Sequence, residues 1–100
     1  MSTHSGERLN VCGGRIRQVR KDRHWTLEDL SAALEVDYGV NLHRTILTKI
    51  ELGTRYLTDF ELVAIAAALE VTVAELFTGE GYLSLEEFVR RRSTRRSNGT

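Results

Sequence analysis

Four polar side chains, Arg44, Thr45, Thr48 and Lys49, sit around two apolar ones, Leu47 and Ile50, in a short segment near the middle of the chain. At the 3.6-residue period of a helix, Leu47 and Ile50 turn inward while the four polar groups stay available on the outer side. A guanidinium offers paired donors in a rigid fork, a threonine a hydroxyl beside a methyl, and a lysine a mobile point charge. Such a face is suited to binding a patterned polar surface. Covalent chemistry has far less to work with. The chain has no glycine-rich phosphate loop, no nucleophile elbow and no paired carboxylates beyond chance spacing. Cys12 is the single cysteine, so neither an internal disulfide nor a Cys/His zinc set is available, and a small buried side chain is the expected use. His4, His24 and His43 stand in no arrangement that suggests a metal ligand. The chain therefore reads as a non-enzyme that carries neither cofactor nor metal.

The elements that must position this face are marked by helix starts. Thr58-Asp-Phe-Glu61, Thr72-Val-Ala-Glu75 and Ser84-Leu-Glu-Glu87 have the form of capping boxes, and Thr26-Leu-Glu-Asp29 is a near version. A first helix is expected from about Asn10 to Arg23, with Ile16, Val19 and Arg20 at helical spacing and Gly13 and Gly14 weakening its opening turn. A second is expected from Leu27 to about Val36, burying Leu27, Leu30 and Leu34, with Gly39 free to take a positive φ at its exit. The third covers His43 to Leu52 and stops at Gly53. The fourth runs from Asp59 to Glu70 on Leu62, Ile65, Ala66 and Leu69. A short fifth spans Val73–Phe77. Leu85, Phe88 and Val89 repeat the spacing on a sixth that ends in Arg90-Arg91-Arg92. No segment alternates as a strand does, so the fold class is all-α.

One hundred residues form one domain with 41% hydrophobic and 28% charged side chains, the make-up of an ordinary globular protein. The division predicted is a leader over 1–9, a core domain over 10–79, a C-terminal helix over 80–92 and a basic tail over 93–100. No stretch approaches the roughly 18 apolar residues of a membrane span, and residues 1–6 lack the apolar run of an export signal, so the expected location is cytoplasmic. Formal net charge is zero, yet the charge is segregated. Residues 1–24 hold six basic groups against two acids, residues 25–83 three against ten, and residues 84–100 five against two. A basic face can coexist with an acidic one on such a chain.

Four segments in order, Arg15-Ile-Arg-Gln-Val-Arg20, Trp25-Thr-Leu-Glu-Asp-Leu30, Leu47-Thr-Lys-Ile-Glu-Leu-Gly53 and Glu61-Leu-Val-Ala-Ile-Ala-Ala-Ala-Leu-Glu-Val71, resemble the phage-repressor (Cro/cI, xenobiotic-response-element) class of helix-turn-helix DNA-binding domain. The resemblance covers about residues 12–78. It implies a five-helix lambda-repressor-like fold, a transcriptional regulator of bacterial or phage type acting at the nucleoid, and residues 43–52 as the recognition helix. A B-DNA major groove admits one α-helix and presents a distinct donor and acceptor pattern for each base pair. Base contacts in this class come from the start of that helix and one turn later, which here are Arg44, Thr45, Thr48 and Lys49. Backbone contacts are expected from the amides around Thr26 and Leu27, from His43 at the helix cap, from Arg55 and Tyr56 beyond the helix, and from Arg15 and Arg17.

The resemblance also implies an ion pair between Arg20 and Glu51, tying the first helix to the end of the third, and makes Trp25 a core aromatic. Members usually dimerise on adjacent half-sites. Leu85, Phe88 and Val89, with Tyr82 and Leu83, form an apolar stripe that either caps the core or packs on a partner, and of the two a homodimer contact is the expectation. Two departures stand out. The connection from Asp37 to Leu42 is several residues longer than the tight turn of phage repressors, and the recognition helix is only modestly basic. The competing reading is an antitoxin or adaptor subunit that uses the fold chiefly to bind protein; the polar outer face of residues 43–49 favours DNA.

Overall fold

In the computed structural model, which describes residues 8–77, helix starts follow local capping chemistry. Helix α1 spans Gly13–Asp22, α2 Leu27–Tyr38, α3 Arg44–Leu52 and α4 Asp59–Leu69, and a single 3-10 turn covers Ala74–Phe77. At α2 the Thr26 hydroxyl accepts the Asp29 amide at 3.0 Å while the Thr26 amide donates to the Asp29 carboxylate at 2.8 Å. Thr58 and Glu61 exchange the same two bonds at α4, each 3.1 Å long. Each exchange satisfies two amides that a helix start would otherwise leave without partners.

Three boundaries differ from expectation. The first helix begins at Gly13 rather than Asn10, because Asn10 is spent on capping: its side-chain oxygen accepts the amides of Cys12 and Gly13 at 3.0 and 2.7 Å. The second runs on to Tyr38, where Gly39 at φ 65° ends it. The expected fifth helix is only the 3-10 turn, although Thr72 still caps it by accepting the Glu75 amide at 3.2 Å. Four α-helices and one short turn therefore replace the expected five helices among the described residues. The sixth helix, its Ser84–Glu87 box, residues 1–7 of the 1–9 leader, and the candidate dimer residues Leu85, Phe88 and Val89 lie outside the described residues.

Every element contributes to one core. Ile16 of α1, Leu30 and Leu34 of α2, Leu47 and Ile50 of α3, Ile65 and Leu69 of α4, and Leu76 of the 3-10 turn are all fully buried. Removing a side chain of this size from water stabilises the fold by about 1.5–3 kcal/mol. α3 is thus held by two fully buried anchors on one side and is free on the other. It packs against α1 and α2, while α4 packs against α2 and α1. The long connection before α3 is pinned as well: Leu42 is buried, and the Ser31 hydroxyl of α2 donates to the Leu42 carbonyl at 2.8 Å. The connection is therefore tied to the core at Leu42, directly before the cap of α3, while Asp37 to Gly39 and Asn41 stay exposed.

Cys12 is 2% exposed, and burial pushes its thiol up to about 11. The unfolded chain loses this proton near pH 9, the folded chain only near 11, so the folded state binds more protons between those values. Stability is then expected to fall across pH 9–11, by on the order of 2 kcal/mol. Urea titrations of wild type and Cys12→Ala at pH 8 and pH 11 check this: the wild-type loss should exceed that of the variant. Equal losses would remove the thiol from the account.

Candidate nucleic-acid interface

The third helix presents a polar side to solvent. His43 caps it from an extended backbone, its Nδ1 accepting the Thr45 amide at 3.2 Å and lying 2.8 Å from the Thr45 hydroxyl oxygen. An imidazole thus fills the role of the usual Ser or Thr, and accepting that amide requires Nδ1 to carry no proton. At the other end Gly53 takes φ 80°, and the Thr54 amide donates to the Lys49 carbonyl at 2.9 Å. Arg44, Thr45 and Lys49 are exposed and Thr48 is half-buried, its hydroxyl donating back to the Arg44 carbonyl at 2.9 Å. The four candidate readers consequently lie on the solvent side of a helix whose opposite side is locked into the core.

Arg44 reaches sideways to α2, where its guanidinium lies 3.8 Å from the Glu28 carboxylate, both side chains well exposed. An exposed pair of this kind contributes between 0 and about 1 kcal/mol, so an incoming acceptor can replace Glu28 without large cost. Both residues of this pair, with Arg20, Lys21, His24, Trp25, Thr26 and Leu27, line a cleft at the start of α2. The Thr26 and Asp29 amides are taken by the capping box, which leaves those of Leu27 and Glu28 at the open, electropositive end of the helix. Lys21 and His24 were missed in the sequence. His24 takes φ 60° in the turn after α1, and nothing in its residue type announced that placement.

Arg20 joins the two parts of this surface. Its Nε donates to Glu51 at 2.7 Å, its Nη2 to the other Glu51 oxygen at 3.0 Å, and its Nη1 to the Trp25 carbonyl at 2.8 Å. One buried guanidinium therefore holds the end of α3 and the residue that precedes the cap of α2. Hydrogen bonding to Glu51 raises its pKa above the ordinary arginine value against the opposing effect of burial. Trp25 is partly buried against the core, and the Arg23 guanidinium stacks 4.9 Å from its ring centre.

A second clamp comes from Asn10, whose place in the sequence suggested only the start of the first helix. Its amide nitrogen donates to the Ile50 carbonyl at 3.0 Å and the Arg55 carbonyl at 2.9 Å, while its oxygen caps α1. The Leu9 amide donates to the Gly53 carbonyl at 2.9 Å. The end of α3 is thereby fixed from residues some forty positions earlier. An Asn three residues before a helical glycine was the available signal, since such side chains commonly bond the backbone two or three residues on.

The remaining candidates are placed differently from one another. Arg55 forms a fork with Glu61, at 3.0 and 3.2 Å, and also donates to the Tyr56 carbonyl. Burial pushes the Glu61 carboxyl up, but the bonds from Arg55 and Thr58 outweigh it and hold the group below its ordinary value. The Arg55 guanidinium is thus largely committed inside the domain, while Tyr56 is 69% exposed. Arg15 donates to the Glu75 carbonyl at 3.3 Å and to Gln18 at 2.9 Å, linking α1 to the 3-10 turn. Arg17 is exposed on α1. Among the described residues, no group of three or more His, Cys, Asp or Glu is placed to hold a metal ion, and no helix is long and apolar enough to cross a membrane.

A family model described as Helix-turn-helix domain matches residues 13–82. No curated protein and no solved structure gives a match.

Proposed function

We propose that this chain, which belongs to the helix-turn-helix domain family, is a sequence-specific transcriptional repressor that inserts α3 into the major groove. One observation carries the reading: α3 is anchored by fully buried Leu47 and Ile50 while Arg44, Thr45 and Lys49 project from its free side. Arg44 leaves Glu28 and donates two bonds to guanine O6 and N7; the methyl of Thr45 or Thr48 packs on a thymine methyl; Lys49 takes an acceptor one turn on. The cleft at Lys21, His24 and the start of α2 receives a phosphate, which sets the angle of entry. His43, with its Nδ1 occupied by the cap, has Nε2–H left to donate to the same strand. Tyr56 and Arg17 supply outlying backbone contacts, and Arg15 and Arg55 act chiefly by bracing. One domain reads few base pairs, so the chain acts as a homodimer on a partly palindromic operator, through Leu85, Phe88 and Val89.

Selection of bound duplexes from a randomised pool tests the reading. A two-fold-related motif should be enriched, with affinity falling steeply as salt rises. Arg44→Ala and Lys49→Ala are each expected to weaken the selected site by about 1–3 kcal/mol and to relax preference at one position. Should no motif be enriched and affinity be indifferent to salt, the fold serves protein binding instead.

A further inference from the structure

The fourth helix carries an apolar face that the core does not use. Residues 62–69, Leu-Val-Ala-Ile-Ala-Ala-Ala-Leu, are apolar without interruption, the composition of a helix covered on every side. Ala64, Ile65, Ala66, Ala68 and Leu69 are buried, yet Phe60 is 75% and Val63 57% exposed. Phe60, Val63 and Ala67 form a stripe at i, i+3 and i+7, and with Tyr38 at the end of α2 and Val40 just beyond it they line one apolar cleft. Burial of the domain's own core leaves nothing in residues 8–77 over it. The cleft lies at the C-terminal end of α2, away from the Thr26–Leu27 end that borders the recognition helix.

We infer that this cleft receives residues 82–89 of a second copy of the chain, reciprocally, and that this exchange forms the homodimer; the inference rests on the regulator reading above. Tyr82, Leu85, Phe88 and Val89 recur at i, i+3, i+6 and i+7, so one helical face would offer four apolar groups to the stripe. The charges agree as well. The exposed Asp59 lines the cleft, and Arg90, Arg91 and Arg92 follow directly on the segment. A short helix in one cleft buries roughly half of the 1,200–2,000 Å² that a specific interface needs, and two-fold exchange supplies the other half.

Cysteine cross-linking tests it, because the native Cys12 is buried and its thiol stays protonated. An equal mixture of Val63→Cys and Phe88→Cys proteins, oxidised mildly, should give a heterodimer joined by one disulfide. The Val63→Cys/Phe88→Cys double variant should likewise run as a linked dimer. A double variant linked within one chain, or a mixture that fails to link, overturns the inference. Sedimentation gives an independent reading: Phe60→Ser/Val63→Ser, both on the surface, should weaken dimerisation by on the order of 100-fold without loss of helix content. Unchanged dimerisation also overturns it. A protein that dimerises through the cleft yet selects no DNA refutes the regulator reading alone, whereas a monomer that selects DNA refutes only the cleft.

Discussion

Arg20→Ala is expected to cost about 3 kcal/mol of folding stability, lowering the melting temperature of a domain this size by more than about 10 °C. The side chains of Arg20 and Glu51 are 8% and 4% exposed, so removing the guanidinium leaves a carboxylate buried without its partner. The loss should come mainly from that stranded charge, not from the net worth of the pair, because burying two ions already costs much of what their attraction returns. Arg20→Met/Glu51→Leu should therefore recover most of the stability lost by either single change. DNA binding separates the roles. Arg20 holds both Glu51 of α3 and the Trp25 carbonyl before α2, so the double variant should remain impaired in binding even where it melts like wild type. An Arg20→Ala protein with wild-type melting would sink the assignment.

Gly13→Ala is the second large effect, and its sign is informative. In an exposed helix interior, Gly to Ala stabilises by about 1 kcal/mol. Here the added methyl would fall inside contact distance of the Ile50 carbonyl oxygen and 2.9 Å from that of Glu51. Both are backbone atoms of α3, held by two buried anchors, so neither can turn aside as a side-chain tip would. Overpacking of this kind costs about 1–3 kcal/mol and can cost more. Urea unfolding should show a net loss despite the better helix former. The same displacement moves the end of α3, so affinity for the selected duplex should fall in the fraction that remains folded. A stabilised Gly13→Ala protein would show that α1 and α3 do not approach as closely as described.

The two effects share an origin that explains what could be read in advance. Both lie where α1 meets the end of α3, and neither is legible from local spacing along the chain. The pairing of Arg20 with Glu51 followed from a family resemblance; neither residue's neighbours in sequence point to the other. Gly13 looked merely like a weak start to a helix. Its actual role is close approach, which depends on a carbonyl 37 positions away. Asn10 is similar, for its local bonds explain the shortened first helix but its longer-range bonds explain the fixed end of α3.

What the chain determines by itself is therefore the set of helices and most of their ends. Thr26 with Asp29, Thr58 with Glu61, and the glycines at 39 and 53 act over three to five residues, where spacing along the chain is already distance in space. The 3.6-residue pattern likewise identifies Leu47 and Ile50 as the buried side of α3. Tertiary structure decides which charges are free to act. Arg55 is drawn into a fork with Glu61, Arg15 to a carbonyl of the 3-10 turn, and Arg44 to Glu28, whereas Lys21 and His24 come to line the cleft at α2. A cation takes whichever acceptor folding brings within reach, and those partners lie from 6 to 60 positions away. Residue type states what a side chain can bind; only the packed helices state what it is already holding.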